Sequence, residues 1–150
     1  MKNINTLIQG LNWHNSEEVQ KKSINELSKL SGKEVIILAD QTELNHKACW
    51  FNSAIVLQNI GYPNNKESIP YLMQWFQDIN WPGVSTVVEI FKSIDREELK
   101  LHIDNAITQG LNEKDDFWIF GLLFLIDKLH MTHMYDKKPI HKLEQFAGIE

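Results

Sequence analysis

The sequence predicts an all-α chain: a short α-α superhelix of about seven to nine helices packed in pairs. Three observations predict it. Apolar residues recur at helical spacing along most of the chain, as at Ile69, Leu72, Met73, Phe76 and Ile79. Polar capping residues precede several of these stripes, and glycine or proline follows them. Four tryptophans, Trp13, Trp50, Trp81 and Trp118, are separated by 37, 31 and 37 residues, a period that suits repeats of two helices each.

Taken in order, Ile4, Leu7, Ile8 and Leu11 predict a short first helix that stops near Gly10. Asn15-Ser16-Glu17-Glu18 reads as a capping box, with Asn15 as the cap. The helix it opens runs to about Leu30, with Val19, Ile24, Leu27 and Leu30 inward. Val35 to Leu38 has the composition of a buried strand. No second strand-like run exists to satisfy its backbone, so a short buried helix is expected. His46 to Ile60 is a helix apolar over more than half its circumference. Ser68 caps the next, with Pro70 in its first turn. Asn80-Trp81-Pro82 breaks that helix, and Pro82 suits the first turn of another, which carries Val84, Val87, Val88, Phe91 and Ile94. Asp95 to Glu98 is a second capping box, and its helix ends at Gly110. Asp115 or Asp116 opens the most apolar helix, Phe117 to about Leu129, which is expected to be central. A short helix over Asp136 to Ala147 follows. Residues 1–150 are read as one helical-repeat domain.

Composition excludes several classes. Cys49 is the only cysteine, so an intramolecular disulfide and a cysteine-rich metal site are ruled out. The longest apolar run, Phe117 to Ile126, has ten residues, against roughly 20 for a membrane span. The start lacks the apolar segment of a signal peptide, and a cytoplasmic protein is expected. Residues 67–150 carry eight Lys and Arg against fourteen Asp and Glu. Such a surface does not suit nucleic acid, which needs a basic footprint. No phosphate-cradling, zinc-protease or nucleophile-elbow motif is present, no catalytic residue is nominated, and no cofactor is expected.

If the pairs stack, the turns into the second helices share one edge. Asp78, Asn80, Trp81, Asp115, Asp116 and Trp118 are therefore the candidate partner- or ligand-binding residues. Asp and Asn at helix starts are caps before they are anything else, although a cap can still face solvent. No metal site is expected. The densest histidine region, His130-x-x-His133 with His141 nearby, has metal-ligand spacing. It reads first as histidines favoured by a helix C-terminal dipole, with His130 and His133 only weak metal candidates. His46-x-x-Cys49 could pair a base with a thiol, but a lone cysteine in an apolar helix reads as core. His102 falls on an apolar stripe and reads as a boundary residue.

The stretch Trp75-Phe76-Gln77-Asp78-Ile79-Asn80-Trp81-Pro82, followed about 33 residues later by Asp115-Asp116-Phe117-Trp118, resembles an uncharacterised bacterial family, domain of unknown function 5071. The likeness is strongest over residues 66–130 and leaves the first 60 residues outside. It implies HEAT-like helical repeats and brings no established activity.

Two functions follow as expectations. The first is a protein-interaction module whose acidic, aromatic edge meets a basic protein, one concrete form being an immunity-type inhibitor. The second is an enzyme or small-ligand binder with a pocket near Trp81 and Trp118.

Overall fold

The structure, a computed structural model, describes residues 3–149. Met1, Lys2 and Glu150 of the expected 1–150 domain lie outside the described residues. Among those described there are nine α-helices and no strand. They are α1 (Ile4–Gly10), α2 (Glu17–Leu27), α3 (Ile36–Ala39), α4 (Lys47–Ile60), α5 (Ile69–Leu72), α6 (Val84–Lys92), α7 (Arg96–Asn112), α8 (Asp116–Lys128) and α9 (Lys137–Phe146). Val35 to Leu38 is helical as expected: a 3₁₀ turn, Gly32–Val35, runs straight into α3.

Several boundaries move for local reasons. The α2 cap is Ser16, whose hydroxyl accepts from the Val19 amide at 3.3 Å. Asn15 instead donates its amide to the Gln9 carbonyl. Val19 stays exposed, and Ser23 takes the buried place on that helix. Ser68 caps nothing; its hydroxyl donates to the Asn65 carbonyl at 2.6 Å. The helix after it tightens to 3₁₀ at Met73–Gln77. Pro82 lies outside α6, which starts at Val84 behind Gly83. Gly83 has φ +89°, and a Cβ there would stand 2.9 Å from the Trp50 carbonyl oxygen, so only glycine fits.

Packing is mostly between helices close in sequence. Helix α1 lies on α2, α2 and α3 lie on α4, and α7 lies on α8. Two longer-range contacts join them: α4 against α6, and the Met73–Gln77 turn against α8. The second is a backbone-to-backbone approach, because a Cβ at Gly121 would collide with the Phe76 carbonyl. Helix α9 packs chiefly on α8 and buries no residue completely. Expected to be apolar all round, α8 has an outer face: Phe117 is 75% exposed and Phe120 39%.

Short helices leave many carbonyls without intrahelical donors, and buried side chains supply the donors. Trp75 donates its indole N–H to the Ala39 carbonyl at the end of α3, 2.8 Å away. Trp118 donates to the Met73 carbonyl at 2.9 Å, and Trp50 to the Asn45 carbonyl at 2.7 Å. The Asn45 amide reaches the Ile37, Leu38 and Asp40 carbonyls, while its own oxygen accepts from Ser53. Asn65 closes the end of α4 through the Leu57 carbonyl at 2.9 Å.

The loop between α8 and α9 is tied to α7. The Lys100 ammonium lies 4.5 Å above the Tyr135 ring and pairs with Asp104 at 2.7 Å. Burial, and after it the Asp104 carboxylate, hold the Tyr135 phenol well above its ordinary value.

Two outcomes follow. Trp118→Phe removes the indole N–H and part of the ring system, stranding the Met73 carbonyl and leaving a void, and urea denaturation should show a loss of at least about 1–3 kcal/mol. Tyr135 keeps its proton in the folded chain, whereas the unfolded chain releases it near pH 10. The stabilisation is therefore complete below about pH 10 and is lost as pH rises above it. Urea midpoints at increasing alkaline pH should fall more steeply for the wild type than for Tyr135→Phe.

Candidate functional site

Acidic residues gather at the turns that open helices, and most of them serve the backbone. Asp95 accepts from the Glu98 amide at 3.1 Å, and Asp115 from the Trp118 amide at 3.0 Å. Asp115 is thus the cap of α8. Asp116, one residue on, is exposed in the first turn, its carboxylate 3.0 Å from the following Phe117 amide. Asp78 folds back on the Asn80 amide at 2.9 Å, and both residues are exposed.

The six expected edge residues divide evenly. Asp78, Asn80 and Asp116 meet around a cavity of about 590 Å³, completed by Gln77, Ile79, Phe117, Phe120 and Ala147. The approach of α8 to the Met73–Gln77 turn brings these segments together. Trp81, Asp115 and Trp118 do not line it. Trp118 is 1% exposed, with its indole N–H committed to Met73. Trp81 stacks edge-on against buried Trp50, ring centroids 5.2 Å apart. The two expected edge tryptophans are accordingly turned into the packing rather than out to a partner. Trp13 alone of the four reaches 43% exposure, with its indole donated to His14. A large ring with one donor gains most where apolar contact and a backbone carbonyl coincide, and that is in the core.

The aromatic surface is phenylalanine instead. Phe117 and Phe120 stand beside two carboxylates, and no Lys or Arg lines the cavity. The arrangement suits a ligand with one cationic and one apolar part: the carboxylates attract the charge, and the ring faces accept a cation or an alkyl stem. Phe117 and Phe120 do not stand out in the sequence because their helix is apolar throughout. Their spacing of three, on the face opposite Ile119 and Leu122, is the signal that distinguishes them.

The histidines do other work. His130 has φ +55° and ends α8 in a left-handed residue, with the Met131 amide bonded back to the Ile126 carbonyl at 2.9 Å. His133 is exposed in an open depression with Arg96, Glu97 and Lys100. Among the described residues no three His, Cys, Asp or Glu side chains gather as metal ligands would. His46 caps α4, its Nδ1 accepting from the Ala48 amide at 3.3 Å. Cys49 is buried, its thiol 3.6 Å from the Ile8 carbonyl, and burial pushes that thiol's pKa up. No helix of the described residues is long and apolar enough to cross a membrane.

The neighbours Asp115 and Asp116 should separate cleanly. Asp115→Ala removes a cap and should cost about 1 kcal/mol in urea denaturation. Asp116→Asn should change stability by less than about 0.5 kcal/mol, as for a surface position.

A family model described as a domain of unknown function, DUF5071, matches residues 51–148. The match runs beyond the expected 66–130 on both sides and takes in most of α4 as well as all of α9. Every residue around the cavity lies within it. No curated protein and no solved structure matches the chain. The matched span covers more than half of the sequence, and the chain belongs to the family of domain of unknown function 5071.

Proposed function

We propose that this chain is a protein-interaction module that docks a basic partner at the cavity between the Asp78–Asn80 turn and the start of α8. One observation carries the reading: Asp78 and Asp116, contributed by separate turns, flank a phenylalanine that is 75% exposed in a cavity without a cation. Phe117 does not stand alone: with Phe120 it lines one cavity beside the carboxylates, and a contiguous apolar patch rimmed by polar groups is what marks an interaction surface. Like-signed carboxylates around it favour a partner of opposite charge and speed its approach. An immunity-type inhibitor of a basic protein is the concrete form of this function. The pairing of α1 with α2 and of α7 with α8 supports a HEAT-like stack of helix pairs across the described residues. The bacterial setting is what the family resemblance implies, and a cytoplasmic one is compatible with the free thiol of Cys49.

A second reading keeps the cavity and changes its occupant to a small organic cation. Its volume, about 590 Å³, falls in the range of ligand pockets.

Co-purification from the native cell with the full chain, beside an Asp78→Lys/Asp116→Lys variant, tests the first reading. The expected result is a basic protein retained by the wild type, released by salt and lost from the variant. Retention by both chains would sink it. Stabilisation of the wild type by small ammonium compounds, with no protein retained, would favour the second.

A further inference from the structure

We propose that the partner's docking segment is a basic amphipathic helix, laid along the outer face of α8 with a cationic side chain at Asp78 and Asp116. The inference rests on the reading of a basic protein partner and goes further, to the shape of what binds.

Phe117, Phe120 and Phe124 recur at i, i+3 and i+7, so they form one stripe on α8. The stripe is about 10 Å long at 1.5 Å per residue, roughly two turns of a guest helix. Phe120 lines both the acidic cavity and a second one of about 340 Å³. That second cavity continues past Leu123 and Phe124 to Ile140 and Ile149. The two cavities meet at Phe120 and lie in line along the outer face of α8, and we treat them as one groove. Its ends are acidic, with Asp78 and Asp116 at one and Asp127 and Glu144 at the other. No Lys or Arg lines either part. The chain's own Lys128 ammonium stands 5.4 Å above the Phe124 ring, so the position left open for a guest cation is the Asp78 and Asp116 end.

The chain itself holds a segment of the proposed kind beside the groove. Helix α9 rests on α8 through the half-buried Leu143 and Ala147, while Lys137, Lys138 and Lys142 point to solvent. One wall of the groove is this basic amphipathic helix, and a second helix of the same character fills the space next to it. A small ligand at Asp78 would leave most of the stripe in water, and a nucleic acid would meet four carboxylates.

The test titrates two synthetic probes into the isotope-labelled full chain and follows amide resonances. One probe is a designed helix with leucines on one face and lysines on the other. The second is a lysine–glycine peptide of equal charge and no apolar face. The amphipathic probe should bind more tightly and shift resonances along Phe117–Asp127 and Asp78–Asn80. Phe117→Ala, at a solvent-exposed position, should weaken it at least tenfold, as truncation of an interface anchor does. Asp127→Lys should weaken it as well. Equal binding of both probes, with shifts only near Asp78 and Asp116, overturns the helix and leaves the basic-partner reading standing. Binding unaffected by Phe117→Ala also overturns the helix. If neither probe moves these resonances, the helix and the acidic docking site fall together.

Discussion

A buried backbone carbonyl needs a donor, and this chain has many helix ends to satisfy. Helices α3 and α5 have four residues each, too few to pair their own carbonyls. The donors come from far along the chain: Trp75 reaches Ala39 and Trp118 reaches Met73, spans of 36 and 45 residues. Each indole thereby clamps two elements while its ring fills the space between them. The net gain from one such bond is modest, but stranding its acceptor in the core costs more than the bond contributes. Trp75 and Trp118 are therefore internal clamps, and of the four evenly spaced tryptophans only Trp118 bonds across a long stretch of chain.

The acidic edge has a related origin. Helix starts attract carboxylates because free amides and the helix dipole favour negative charge there. Asp95 and Asp115 are consumed in that role. Asp78 and Asp116 make only local contacts to their own turns and keep oxygens open to solvent. Two neighbouring acids on one helix start thus divide the labour, the first holding the helix and the second facing the cavity.

Much of the fold was legible from periodicity. The cap at Asp95 and the start of α8 near Asp115 rest on local chemistry that tertiary packing does not override, whereas the helical reading of Val35–Leu38 rests on the lack of any partner strand in the rest of the chain. The site was half legible. Asp78, Asn80 and Asp116 could be grouped because turns into second helices were placed together. Trp81 and Trp118 were assigned to the surface because spacing locates a residue along the chain without saying which side of a helix it faces. Asn15 and Ser16 show the same limit at a smaller scale: both can cap, and the choice depends on Gln9 being within reach of Asn15. The outer stripe of α8 was hidden by composition, since a helix apolar throughout carries almost no amphipathic signal.

Gly121 has a consequence beyond close packing. With backbone pressed on the Phe76 carbonyl, α8 cannot turn about its own axis without a collision. A helix is stiff, so locking one residue locks the azimuth of all the others. Phe117, Phe120 and Phe124 are thus aimed by a residue that has no side chain. Gly121 works as the key that indexes a shaft, and a bulkier residue there would rotate the stripe away from Asp78 without altering any residue of the stripe itself.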